Sequence, residues 1–139
     1  MTGQERKFRS YAATFPAEPA VVQQVRAEVA SVASQCDLSR LELDDVRLAV
    51  SEVVTNAIVH AYAGTSGEIR VRVDLVGSDL HVVIADDGGG MAPRVGSPGL
   101  GLGLPTVAAV TKDMEVVSPE GGGTEVHLRF ACRACAGAA

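Results

Sequence analysis

Residues 69–75 place Ile69, Val71, Val73 and Leu75 at alternate positions, with Arg70, Arg72 and Asp74 between them. A strand sends successive side chains to opposite faces, so this segment has one apolar side and one charged side. The chain then turns at Gly77-Ser78-Asp79 and continues with Leu80, Val82 and Ile84 on the same two-residue period. A pair of strands sharing an apolar face is not stable alone in water, so another layer must cover that face. The covering layer is legible upstream. After Pro19, Val22, Val25, Val29 and Val32 recur at spacings of three and four, which predicts a helix ending near Cys36-Asp37. Val46, Ala49, Val50, Val53 and Ala57 mark the apolar face of a second helix, expected to be capped by Asp44 or Asp45 and to run to about Tyr62.

The remaining elements follow from the same periods. Tyr11, Ala13 and Phe15 alternate within residues 7–15, a strand that Phe15-Pro16 ends. Residues 64–67 read as a turn. From Gly88 to Gly103 the chain is rich in glycine, a long loop of the kind that compact domains keep for function or leave disordered. Pro105 is placed to open a short helix through Val110. Two last strands are expected at residues 114–118 and 124–130, joined by Pro119–Gly123, with residues 131–139 as a flexible tail. The order β-α-α-β-β-loop-α-β-β predicts an α/β fold: a two-layer sandwich of a mixed, mostly antiparallel sheet with helices on one face. The 139 residues fit one domain, 1–139, with a core from about 8 to 130. Hydrophobic residues make up 47% and aromatics 4%, so the core must be aliphatic.

A net charge of −5 argues against a direct nucleic-acid binder, which needs a basic face. Residues 1–10 carry charge without a following apolar run, and no stretch is apolar for the roughly 18 residues that a bilayer requires. The expectation is a cytoplasmic protein without membrane contact. The three cysteines form no even framework. Cys132-x-x-Cys135 has no second pair to complete a zinc site and reads as part of the tail. His81 and His127 fall on strands and read as surface or core residues.

Four groups of residues carry possible chemistry. In SEVVTNAIVH, Glu52, Asn56 and His60 are spaced by four and share one polar stripe of the second helix. An amide oxygen suits Mg²⁺, a hard cation that keeps waters and substrate phosphates as its other ligands, and a carboxylate beside it can orient a nucleophile or take its proton. Asp86 leaves a strand just before Gly88 and Gly90, where it can accept a hydrogen bond from an exocyclic amine such as that of adenine while the glycines let the backbone approach a ring. Gly99, Gly101 and Gly103 precede a helix, where backbone N–H groups favour anions; Arg94 is the charged residue of that loop. Thr124 opens the last strand after three glycines. Taken singly, each group also fits a solvated helix face or an ordinary tight turn.

Taken in order, E-x-x-x-N, then D-x-G-x-G after two strands, then G-x-G before a helix, then G-T before the last strand resembles the GHKL ATPase superfamily. That superfamily includes histidine-kinase catalytic domains, type II topoisomerases, Hsp90-type chaperones and MutL-type proteins. The SEVVTNAIVHAY segment is most similar to bacterial anti-sigma factor serine kinases, and the resemblance spans about residues 8–130. It implies a Bergerat-type ATP-binding fold. It also implies roles: Asn56 as Mg²⁺ ligand, Glu52 as base toward a serine hydroxyl, Asp86 on the adenine amine directly and through water. Gly88 and Gly90 would line the base pocket, Gly101 and Gly103 would contact phosphates, and Thr124 would support the adenine site.

The implied activity is an ATP- and Mg²⁺-dependent protein serine kinase acting on an anti-sigma-factor antagonist, which also sequesters a sigma factor; dimers are frequent in the resembled family. One departure favours an alternative. Only seven residues separate Met91 from Gly99, where relatives with a longer ATP lid carry more. A short lid fits a nucleotide-gated binding module without turnover. A detached histidine-kinase catalytic domain is a third reading, weakened by the absence of a preceding phosphoacceptor hairpin.

Overall fold

The computed structural model describes residues 10–61, 67–88 and 100–132. Five strands form one sheet: β1 (Tyr11–Pro16), β2 (Glu68–Val76), β3 (Asp79–Asp86), β4 (Asp113–Val117) and β5 (Thr124–Ala131). Their spatial order is β1-β2-β3-β5-β4. Among the described residues all four pairings are antiparallel, which bears out the mostly antiparallel sheet and includes no parallel pair.

The hairpin read from the alternation is present. Val76 faces Asp79 across the two-residue turn Gly77-Ser78, and Gly77 has φ +63°, a left-handed conformation that suits glycine. The register aligns Ile69, Val71 and Val73 with Asp86, Ile84 and Val82, so both apolar rows lie on one face. Across β5, Val126, Leu128 and Phe130 extend those rows. Pro16 ends β1 on the sheet edge, where its missing N–H breaks no ladder.

Helices α1 (Val21–Ala33), α2 (Arg40–Asn56) and α3 (Leu100–Val110) cover that face. Pro19 sits in the turn leading into α1, two residues before its first residue. Val25, Val29, Val46, Val50 and Val54 of α1 and α2 are fully buried with Ile69, Val71, Val73, Leu80, Val82, Ile84 and Leu128 of the sheet, an aliphatic core as the composition requires.

The start of α2 differs from the expectation. Its cap is Ser39, not Asp44 or Asp45: the Ser39 hydroxyl accepts from the Glu42 N–H at 3.1 Å, and Glu42 Oε1 accepts from the Ser39 N–H at 2.7 Å. This capping box satisfies two otherwise orphaned donors and starts the helix five residues before Asp44 and Asp45, which lie within it. At its other end α2 passes into a π-helical turn, Ala57–Ala61. Helix α3 also starts early, at Leu100, so Gly101 and Gly103 lie in the helix rather than before it and Pro105 sits in its second turn. There the proline lacks the N–H that would reach Gly101. The tail begins later than expected: Ala131 belongs to β5, while Cys132 is buried, disulfide-bonded, and donates its N–H to Ser78 O at 2.8 Å. No helix among the described residues is long and apolar enough to cross a membrane.

Candidate functional site

Asp86 and Thr124 are the buried polar or charged residues among the described residues, 7% and 6% exposed. They are also cross-strand partners, at the end of β3 and the start of β5. The two-residue period explains their position. Asp86 continues the row Leu80-Val82-Ile84, and Thr124 continues Phe130-Leu128-Val126, so both side chains fall on the helix-covered face. A carboxylate and a hydroxyl thus stand side by side at the rim of an aliphatic core, where an unpaired polar group is costly.

Asp86 folds back on its own strand exit: Oδ1 accepts the Gly88 N–H at 2.9 Å, an Asx-type turn. Burial pushes the Asp86 carboxyl above the usual carboxylate range. The neighbouring Asp87 adds to this, while the Gly88 and Thr124 backbone amides and Arg70 oppose it. Arg70 reaches Asp87 at 2.6 Å on the opposite face of the sheet and so ties the strand end from outside.

The turn before β5 adds a residue that the sequence reading passed over. Gly123 has φ +86°, and a Cβ built on it would lie 2.1 Å from the Asp86 carbonyl oxygen. No other residue type fits there. The three-glycine run before Thr124 was the available signal, and it marks a close approach of two backbones rather than a loose turn.

Glu52 and Asn56 lie on α2, which packs on α3 and on β3. Asn56 is the last α-helical residue before the π-helical turn, a local widening that often occurs at functional sites. Its Nδ2 is buried and has no hydrogen-bond partner among the described residues, an orphaned polar donor. Glu52 is half-buried and makes no ion pair or hydrogen bond among the described residues. Gly101 and Gly103 lie in the first turn of α3, whose N-terminal N–H groups have no intrahelical partners. Gly90, Arg94 and Gly99 lie outside the described residues, as does the side chain of His60. The described site therefore offers a buried acceptor–hydroxyl pair, a helix N-terminus and a carboxylate–amide pair on the helix that touches both. Chemically, a carboxylate acceptor suits a ring amine, helix N-terminal N–H groups suit anions, and side-chain oxygens suit a hard cation.

Known proteins resemble this chain in sequence and in fold. The chain is 34% identical over 115 residues to an anti-sigma F factor of Clostridium acetobutylicum, covering 75% of this chain and 80% of that protein. It is 38% identical over 74 residues to the serine-protein kinase RsbW of Bacillus licheniformis, covering 52% of this chain and 46% of that protein. Among solved structures, the RsbU and RsbW domains of Rv1364c from Mycobacterium tuberculosis share the fold with a TM-score of 0.70 at 23% identity; 89% of this chain matches 32% of that one. The sequence profile described as the histidine kinase-like ATPase domain matches residues 15–130, and the chain belongs to that family.

Proposed function

We infer that this chain binds ATP with Mg²⁺, transfers the terminal phosphoryl group to a serine hydroxyl of an anti-sigma-factor antagonist, and sequesters a sigma factor. The observation that carries the reading is the buried Asp86–Thr124 pair. A carboxylate held at a strand end inside an aliphatic rim is suited to accept from the exocyclic amine of adenine, with the Thr124 hydroxyl beside it to hold a bridging water. Names borne by relatives, an anti-sigma F factor and a serine-protein kinase, support the activity and the partners.

The residues fit the groups. Asn56 would hold Mg²⁺ through its amide oxygen, while its buried amide nitrogen, without a hydrogen-bond partner among the described residues, would donate to a phosphate oxygen or water. The bound ion supplies charge neutralisation for the phosphates. Gly101 and Gly103 would present backbone N–H groups to the phosphates, with Arg94 and Gly99 completing that wall and Gly88 and Gly90 lining the base pocket. Glu52, one turn before Asn56 and without an ion pair or hydrogen bond among the described residues, would orient the serine hydroxyl and accept its proton. Phosphoryl transfer depends on such positioning and charge placement more than on covalent chemistry.

Incubation with labelled ATP and the antagonist encoded in the same genome gives phosphoserine under this reading, and Glu52→Ala lowers the rate by at least about 100-fold. Undiminished transfer in that variant sinks the base assignment. A second reading, a nucleotide-gated regulatory module without turnover, is favoured by the seven-residue interval between Met91 and Gly99. It is distinguished by ATP binding that changes partner affinity while no phosphoserine forms.

A further inference from the structure

Helix α2 is flanked by α1 on one side and α3 on the other, with its valines on the sheet. What remains is a strip of helix turned outward. Four large apolar side chains are exposed among the described residues, and three belong to this strip and its π-helical continuation: Leu41 at 75%, Leu48 at 39% and Val59 at 52%. Leu41 and Leu48 are two turns apart, on one line. Each is followed four residues later by a carboxylate, Leu41 by Asp45 and Leu48 by Glu52. Asp45, like Glu52, makes no ion pair among the described residues, whereas Asp44 is already held by Arg47 at 2.9 Å. The strip is therefore a repeated apolar–acidic couplet that ends at the residue assigned to the serine hydroxyl.

We propose that this outward strip of α2 is the docking surface for the protein that presents the serine, through an apolar row flanked by lysine or arginine. The proposal rests on the reading of Glu52 given above. If Glu52 meets a hydroxyl borne by a protein, that protein must cover the helix surface around Glu52, and that surface is Leu41, Leu48, Thr55 and Val59. The free carboxylates of the couplets set the charge of the matching surface. Neither Leu41 nor Leu48 belongs to the core or to the residues packed against it among the described residues, so their apolar surface is open to a partner.

The test uses the full chain and the purified antagonist encoded in the same genome. Leu41→Asp and the double substitution Leu41→Lys with Asp45→Lys, which reverses the charge at half-buried Asp45, keep the fold, and Leu48→Asp is the stronger probe. Calorimetry measures antagonist binding and ATP binding separately, and steady-state transfer gives KM and kcat. The expected result is a weakening of antagonist binding, and a rise in its KM, of about tenfold or more with unchanged ATP affinity and unchanged kcat at saturation. Antagonist binding should also weaken with rising salt in the wild type and less so in the charge-reversed variant. Unchanged antagonist affinity in all three variants overturns the proposal. So does a change confined to self-association in sedimentation, since the strip would then be covered by a second copy. If the wild type binds the antagonist but forms no phosphoserine, the kinase reading fails by itself, and loss of binding in Leu48→Asp still decides the docking surface.

Discussion

At the scale of single residues, one carboxylate serves two opposed demands. Asp86 is buried, and burial raises its affinity for a proton. Folding therefore favours its neutral form, so its charge costs stability as pH rises from the usual carboxylate value through the raised one and at every pH above. Asp86→Asn removes the charge and keeps an amide oxygen for the Gly88 N–H, but it turns a donor toward the donor of an adenine amine. The expected outcome is a variant more stable at neutral pH by about 1 kcal/mol and weaker in ATP binding by about 100-fold, the cost of a buried unpaired donor. Thermal unfolding and calorimetry measure the two effects on one sample; a variant that loses stability, or one that keeps ATP affinity, contradicts the assignment. Asp86 was legible in the sequence because a strand's period and a following glycine pair are both local. Gly123 was not, because its constraint is the carbonyl of a residue on another strand, 2.1 Å from where a side chain would begin.

At the scale of elements, the strands were read more faithfully than the helix ends. A two-residue period with a turn between repeats fixes both extent and face, as in β2 and β3. Helix ends depend on side chains that compete to cap them. Ser39-x-x-Glu42 outbids Asp44 and Asp45 because it satisfies two backbone donors reciprocally and brings Leu43 into the helix against the core. Ser39→Ala should cost about 1 kcal/mol in denaturant unfolding with little change in ATP affinity, since the cap lies at the far end of α2 from Asn56. The start of α3 was hidden for a different reason: proline is commonest in a first turn, and here it stands in the second.

The face of the sheet opposite the helices carries its own pH response. His81 Nε2 lies 3.2 Å from His127 Nδ1, and His127 Nε2 lies 3.0 Å from Glu125. Burial, then the facing His127 and Arg129, hold the His81 pKa below its ordinary 6.5, with Arg72 adding and Asp74 opposing. The folded state thus binds this proton less tightly than the unfolded chain does. Stability is retained above pH 6.5 and is lost as pH falls below it. His81→Gln should flatten that acid limb in a series of denaturant titrations; an unchanged slope between about pH 5 and 6.5 contradicts the account.

At the scale of the whole molecule, the candidate site draws on both layers: the paired strands β3 and β5 supply the buried pair, α3 a helix terminus, and α2 the carboxylate and amide. A ligand that touches all of them binds the folded chain and not the unfolded one, so it must raise stability by linkage. At free ATP near 100 times its Kd the gain is about 2.7 kcal/mol, which for a chain of 139 residues is a rise in Tm of about 8 °C. The two halves of the site should separate in this measurement. Asp86→Asn cuts the rise to about 1 °C with or without Mg²⁺, because the adenine contact is common to both. Asn56→Ala keeps a rise with ATP alone and loses the increment that Mg²⁺ adds, and a chelator reproduces that loss in the wild type. An Asn56→Ala protein that still gains the full Mg²⁺ increment places the cation elsewhere. A wild type whose Tm is indifferent to ATP removes the nucleotide from the site, because no ligand bound across β3, β5 and α2 leaves their unfolding unchanged.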